Sequence, residues 1–232
     1  MKRLRQKIRE LEGFPSLKEG HDDSLALGPI EAAFPEGRFP VGRIHEFIST
    51  SMPEASAASG FIAGLLGKLM HKERYCLWIS SRRTLFPPGL KRFGMDPGRV
   101  VFVDVKREKD VLWSVEQALK CDRLAAVVGE LREVSFAESQ RLQLVVEQSR
   151  VTGFLHRYQP LTQHNLACAT RWKITPLASM LEGRMPGVGF PAWSVALLKV
   201  RNGKPGEWQI EWKDGRFRPI SLPLEKKQRH YA

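Results

Sequence analysis

The chain has 232 residues, 42% apolar and 27% charged, a composition that excludes a largely disordered polypeptide and allows one sizeable core. Lys and Arg number 37 against 25 Asp and Glu, a formal net charge of +12, so a polyanion is the natural partner, nucleic acid before an anionic membrane surface. No run approaches the roughly 18 apolar residues of a membrane-spanning helix. The three cysteines, Cys76, Cys121 and Cys168, are odd in number and form no metal-type pair, which argues for a reducing cytoplasm.

Leu4, Ile8 and Leu11 recur at helical spacing among Lys2, Arg3, Arg5, Lys7 and Arg9. This predicts a short basic amphipathic helix that either docks on a partner or packs its apolar stripe on its own domain. Residues 13–42, with Pro15, Pro29, Pro35 and Pro40, read as an irregular lead-in. A strand is expected over 44–48. A core-facing helix follows, with Ala58, Phe61, Ile62, Leu65, Leu66 and Leu69 on one face. Gly60, Gly64 and Gly67 lower its helix propensity, which close packing against a sheet would explain.

Continuous apolar runs at 75–79, 100–105, 124–128 and 151–155 read as strands covered on both faces. Between them, Val111, Leu112, Val115, Ala118 and Leu119 share one helical face. Ser135 and Glu138 form a capping box ahead of a helix burying Leu142, Val145 and Val146. Strands alternating with helices at this pitch imply a parallel sheet. Strands expected at 165–175, 193–201, 207–213 and 216–220 are joined in two places by Asn202-Gly203 and Asp214-Gly215, strong hairpin signals that predict an antiparallel annex. The chain thus divides into a basic helix and lead-in (1–43), an α/β core (44–160), an antiparallel extension (161–221) and a basic tail (222–232).

In a doubly wound sheet ligands bind beyond the carboxyl ends of the strands, so the turn after the first strand is where a phosphate loop belongs. A loop of the form GxxxxGK[ST] needs glycines to wrap its backbone round phosphate, a lysine to offset the charge and a hydroxyl for Mg²⁺. Here Met52 and Ala57 stand at the glycine places, Pro53 and Glu54 between them, and Ala58 at the lysine; Ser59 alone keeps its hydroxyl. Each charge-assisted hydrogen bond is worth about 1.5–3 kcal/mol, so losing the lysine cripples triphosphate binding. The magnesium-binding acid expected at the end of the strand 124–128 is replaced by Gly129, with Glu130 turned to the other face. No nucleotide cofactor, metal or catalytic residue is expected.

Several stretches together resemble the ImuA family of bacterial mutagenesis proteins, distant relatives of RecA. They include Gly42-Arg43-Ile44-His45-Glu46, Leu85-Phe86-Pro87-Pro88-Gly89-Leu90-Lys91-Arg92-Phe93-Gly94-Met95-Asp96-Pro97, Asp110-Val111-Leu112-Trp113, Ala169-Thr170-Arg171-Trp172 and Gly203 to Trp208. The resemblance runs from about Gly42 to Trp212. It implies a RecA-like, P-loop NTPase-type fold: a mainly parallel sheet flanked by helices, here with the antiparallel annex. It implies induction in the SOS response and work alongside ImuB, a Y-family polymerase-like protein, and an error-prone replicative-type polymerase in translesion DNA synthesis, with RecA a further partner. Arg82 stands where RecA has its catalytic acid.

Three readings follow. The first is a cytoplasmic accessory without enzymatic activity that binds partner proteins and DNA. The second is a DNA-dependent ATPase using Arg82 or Arg83 in place of the lysine. The third is a single-strand-binding module in which Lys199, Arg201, Lys204, Arg216 and Arg218 contact phosphates near Trp208 and Trp212. The tail residues Lys226, Lys227 and Arg229 are a candidate docking peptide.

Overall fold

The apolar runs become strands, and the central ones are buried along almost their whole length: every residue of Ile44–Ser49 (β1), and Leu124–Leu131 (β4) and Thr152–Tyr158 (β5) apart from Glu130 and Tyr158. The structure, a computed structural model, describes residues 25–70, 74–82, 85–179 and 189–220. The basic helix expected over 1–12, Arg83, and the tail with Lys226, Lys227 and Arg229 lie outside the described residues.

In chain order β1 is followed by Met52–Leu69 (α1), Tyr75–Ser80 (β2), Val100–Asp104 (β3), Glu108–Leu119 (α2), β4, Phe136–Ser149 (α3) and β5. Then come Thr170–Leu177 (β6), Ala192–Val200 (β7), Gly206–Lys213 (β8) and Arg216–Pro219 (β9). The described strands form one nine-stranded sheet in the order β3-β2-β4-β5-β1-β6-β7-β8-β9. Strands β3 to β6 are parallel and the remaining pairings antiparallel. The chain moves one way across the sheet from β1 to β3 and the other way from β3 to β6. Right-handed crossovers therefore put α1 on one face and α2 and α3 on the other, and the two hydrophobic clusters divide accordingly. The result is a mixed α/β fold with a large, mostly parallel sheet and flanking helices.

Two features of the annex differ from the sequence reading. Residues 165–169 are not strand, and β6 pairs parallel with β1 on one side and antiparallel with β7 on the other, so the sheet is continuous. The Asp214-Gly215 turn has φ of 51° and 67°, the left-handed pair that a two-residue type I′ hairpin needs.

Helix α1 packs against aromatic side chains of the annex. A Cβ at Gly64 would stand 2.7 Å from Phe217 Cζ, and one at Gly67 would stand 2.6 Å from the Phe93 carbonyl oxygen. The glycines thus exchange helix propensity, worth about 1 kcal/mol each, for close approach to Trp212, Phe217 and the 3₁₀ segment Pro87–Phe93. The lead-in is also core: Leu25, Leu27, Ile30, Phe34 and Phe39 are buried beneath short 3₁₀ turns. Its prolines hide any helical or strand period.

A hydrogen-bonded chain anchors the lead-in to β1. Trp172 Nε1 donates to Thr170 Oγ1 (2.6 Å), which lies 2.7 Å from His45 Nδ1, while His45 Nε2 lies 3.0 Å from the Pro40 carbonyl. That carbonyl can only accept, so Nε2 carries the proton and Nδ1 accepts from Thr170. Burial holds the His45 pKa down to about 3.

On the opposite face, β1 carries a fully buried carboxylate. Glu46 Oε1 is 2.8 Å from Arg157 Nη1 on β5, and Oε2 is 2.7 Å from Arg171 Nε on β6. The Cys168 thiol donates to Oε2 at 3.6 Å. The two guanidiniums spend their other N–H groups on the β5–β6 connection and on the segment that follows β4. Arg157 donates to the Arg132 and Thr162 carbonyls, and Arg171 to those of Gln163 and His164.

Replacing Glu46 by Ala leaves two buried guanidiniums facing each other, and denaturant unfolding should show a loss of about 3–5 kcal/mol; a loss below about 1 kcal/mol would remove the network from the account of stability. His45 gives a pH dependence of definite sign. Its folded pKa lies below the unfolded value near 6.5, so the stabilisation is complete above pH 6.5 and lost as pH falls towards 3, by up to about 1.4 kcal/mol per pH unit. A His45→Gln variant should lose less stability than the parent between pH 6.5 and 4, and an unchanged slope would contradict this.

Candidate functional site

Between β1 and α1 stand only Thr50 and Ser51. Met52, Pro53, Glu54, Ala57, Ala58 and Ser59, expected to form a degenerate phosphate loop, are all inside α1. The physical reason is a strong local start signal. Ser51 is the N-cap, its hydroxyl accepting the Glu54 N–H at 3.4 Å, and Pro53 sits in the first turn, where its missing N–H costs nothing. Ser-x-x-Glu with a proline between is legible in the sequence as a helix beginning. Ala57 and Ala58 are buried core residues rather than lining for a ligand.

The place a phosphate would take at this helix end is held by the chain's own carboxylate. Glu54 Oε2 accepts from the Thr50 backbone N–H at 2.7 Å and from the Thr50 hydroxyl at 2.8 Å, and Lys173 Nζ lies 3.2 Å from Oε1. Burial opposes ionisation, but the Thr50 donors and Lys173 outweigh it and hold the carboxyl below the usual range. The positive end of the helix and Lys173 are both already engaged by the Glu54 carboxylate.

Further along the carboxyl ends, on the face covered by α1, runs a line of polar groups. Ser49 Oγ lies 2.9 Å from His156 Nε2, and Trp78 Nε1 donates to Glu130 Oε1 at 2.8 Å. His156 and Glu130 are register partners on adjacent strands. The side assignment made from sequence is reversed here: a Cβ at Gly129 would meet Val115 of α2 at 2.5 Å, so position 129 faces α2 and Glu130 stands on the α1 side, where an acid would be needed. Burial, partly offset by the Trp78 bond, pushes the Glu130 carboxyl up to about 7, and burial pushes His156 down to about 4. Burial also raises the Cys168 thiol to about 12, leaving no thiolate for nucleophilic work. Among the described residues no group of three or more His, Cys, Asp or Glu is placed to hold a metal ion. Arg82 is exposed just beyond β2.

The annex residues proposed from sequence for nucleic-acid contact are not brought together. Arg201 and Lys204 lie in the β7–β8 connection, whereas Arg216 and Arg218 follow the β8–β9 turn at the other end of β8. At about 3.3 Å per residue the eight residues of β8 separate them by roughly 26 Å. Arg218 is 2.8 Å from Asp214 and is a register partner of Glu211. Lys199 donates to the Leu166 carbonyl at 2.7 Å. Trp212 is buried with its Nε1 bonded to the Arg92 carbonyl, and Trp208 packs against the same core, so Trp212 has no ring face to offer a base and Trp208 is only half-exposed. The buried Glu46–Arg157–Arg171 network was not anticipated: a charge inside an apolar run was the available signal, but its partners depend on strand order.

No family model matches the chain. Among solved structures it is similar to SulA from Pseudomonas aeruginosa, with 20% identity over 50% of this chain and 97% of that one, at a TM-score of 0.43, too low for the likeness to carry weight. Among curated proteins it is 30% identical over 207 residues to Protein ImuA from two strains of Caulobacter vibrioides, covering 84% of this chain and 85% of the relative. At that identity, with both chains spanned over most of their length, the chain belongs to the ImuA family.

Proposed function

We propose that the protein is a non-catalytic, RecA-like accessory of SOS-induced mutagenic translesion synthesis. It acts through contacts with an ImuB-type, Y-family polymerase-like protein and an error-prone replicative-type polymerase, with RecA as a further candidate partner. Family membership supports the mutagenesis setting. The RecA-like assignment is supported by the strand order, in which β1 lies between β5 and β6 and leads directly into the first long helix.

The observation that carries the non-catalytic reading is the β1–α1 junction. A phosphate loop works by leaving several backbone N–H groups unspent and convergent. Here the residues that would supply them are already helical, the lysine place is the buried Ala58, and Glu54 occupies the helix end. An ATPase reading draws its one support from Glu130 on the α1 face. Its indole partner and its pKa near 7 leave it a poor ligand for Mg²⁺.

Calorimetric titration with Mg·ATP should give no heat of binding, and phosphate release should stay at the level of blank reactions with single-stranded DNA present. DNA-stimulated turnover abolished by Arg82→Ala would replace this reading with the ATPase. The Glu54→Ala variant should lose about 0.5–2 kcal/mol of stability through its cap and still bind no nucleotide, because nothing supplies the missing lysine.

A further inference from the structure

Both ends of the sheet carry paired and exposed cations, and they are arranged differently. At the carboxyl ends several cations are locally neutralised: Lys173 by Glu54, Arg107 by Asp110, Arg218 by Asp214, and Arg157 by Glu46 and Glu133. At the amino ends a row of basic residues follows the strand order. Arg74 precedes β2, Arg123 precedes β4, Arg150 precedes β5 by one residue more, Arg43 precedes β1, Arg201 follows β7 and Lys204 lies in the same turn. Among the described residues there, Glu147 pairs with Arg43, Glu116 with Arg141 and Lys120, and Asp96 with Arg99, while Asp122 beside Arg123 and Glu36 in the lead-in are exposed.

The middle of the row is a built feature. Arg43 is nearly buried, its Nη1 2.8 Å from Glu147 Oε1. Gln143 donates to the same oxygen at 3.1 Å and accepts from the Ile44 N–H at 3.3 Å, which fixes the guanidinium in place. Arg201 and Arg150 stand close enough to add like-charge repulsion: burial lowers the Arg43 pKa, Glu147 opposes this, and the two arginines lower it further. Arg43, Arg150 and Arg201 thus lie near one another, and Arg43 is paired with Glu147. Between Arg43 and Arg201 a cleft of about 10 Å³ is lined by Pro40, Gln143 and Ala169, room for one water-sized group such as a phosphate oxygen.

We propose that this amino-terminal edge, with the exposed Arg74, Arg123, Arg150, Arg201 and Lys204 in line around the buried Arg43, binds the phosphate backbone of single-stranded nucleic acid. This goes beyond the proposed function, which requires only protein contacts. From β2 to β7 there are five strand-to-strand steps, about 24 Å at the usual spacing of roughly 4.8 Å, a length suited to tracking several phosphates in succession. A protein partner would call for desolvated aromatic or aliphatic anchors. At the centre of the row Leu124, Val151 and Thr152 are buried, and the exposed apolar side chains near it, Val41 and Leu198, are aliphatic and separate. The exposed Tyr75 ring at one end, next to Arg74, suits base stacking instead.

The test is fluorescence anisotropy of a labelled oligothymidylate with the full chain at about 50 and about 200 mM salt. Two charge-matched variants are compared: Arg123→Gln/Arg150→Gln/Arg201→Gln/Lys204→Gln at the amino edge and Arg82→Gln/Lys106→Gln/Arg216→Gln/Arg218→Gln at the carboxyl edge. All eight positions are exposed, so both variants keep the fold, which thermal melting verifies. The amino-edge variant should bind at least about tenfold more weakly, with a salt slope shallower by roughly 0.7 for each phosphate contact removed; the carboxyl-edge variant should stay within about twofold of the parent. Equal losses in the two variants, salt-insensitive binding, no binding by the parent, or displacement of the oligonucleotide by polyglutamate at equal charge concentration would each overturn the proposal. Loss of DNA binding in the amino-edge variant alongside retained contact with the ImuB-type protein separates this surface from the protein-contact role.

Discussion

The carboxylate of Glu46, shared by Arg157 and Arg171 across three adjacent strands, is the constraint on which the rest of the architecture leans. A charge at the middle of the central strand is tolerable only if paired from both sides, and the pairing requires β5 and β6 to flank β1 in one register. Arg157 reaches it from the partner of Ile48, and Arg171 from the partner of Glu46 itself. A one-residue slip of either strand would turn its arginine to the α1 face, into the aromatic core. Buried ion pairs of this kind add little net stability over an apolar substitute; their effect here is to select one register and to hold the β5–β6 connection down through its carbonyls.

With β1 fixed in this way, its carboxyl end becomes the natural place for a ligand, and the chain has closed it. The two-residue junction, the Ser51 cap and the inward-turned Glu54 convert what would be an anion cradle into the first turn of an ordinary helix. The polar line of Ser49, His156, Trp78 and Glu130 next to it is internally hydrogen-bonded. The polar groups at this end of the sheet are thus engaged by the chain's own side chains. At the opposite end of the sheet, chain turns hold Arg74, Arg123, Arg150, Arg201 and Lys204 with their side chains in solvent.

The sequence by itself determined the element list, the parallel character of the core, the capping box of α3 and the type I′ turn, because each depends on residues close together in the chain: apolar runs, a Ser-x-x-Glu spacing, an Asp-Gly pair. Family membership was legible for the same reason, since the resemblance is carried by short motifs in order along the chain. The helical fate of Met52 to Ser59 was legible too, in Ser51, Pro53 and Glu54, but a register borrowed from phosphate loops hid it. Which face Gly129 and Glu130 occupy, which arginines Glu46 meets, whether Trp212 is core or surface, and which basic residues share an edge were decided only by tertiary structure. Those answers rest on strand order, register and helix placement, which join residues more than a hundred positions apart, and no local pattern of charge or hydropathy encodes them.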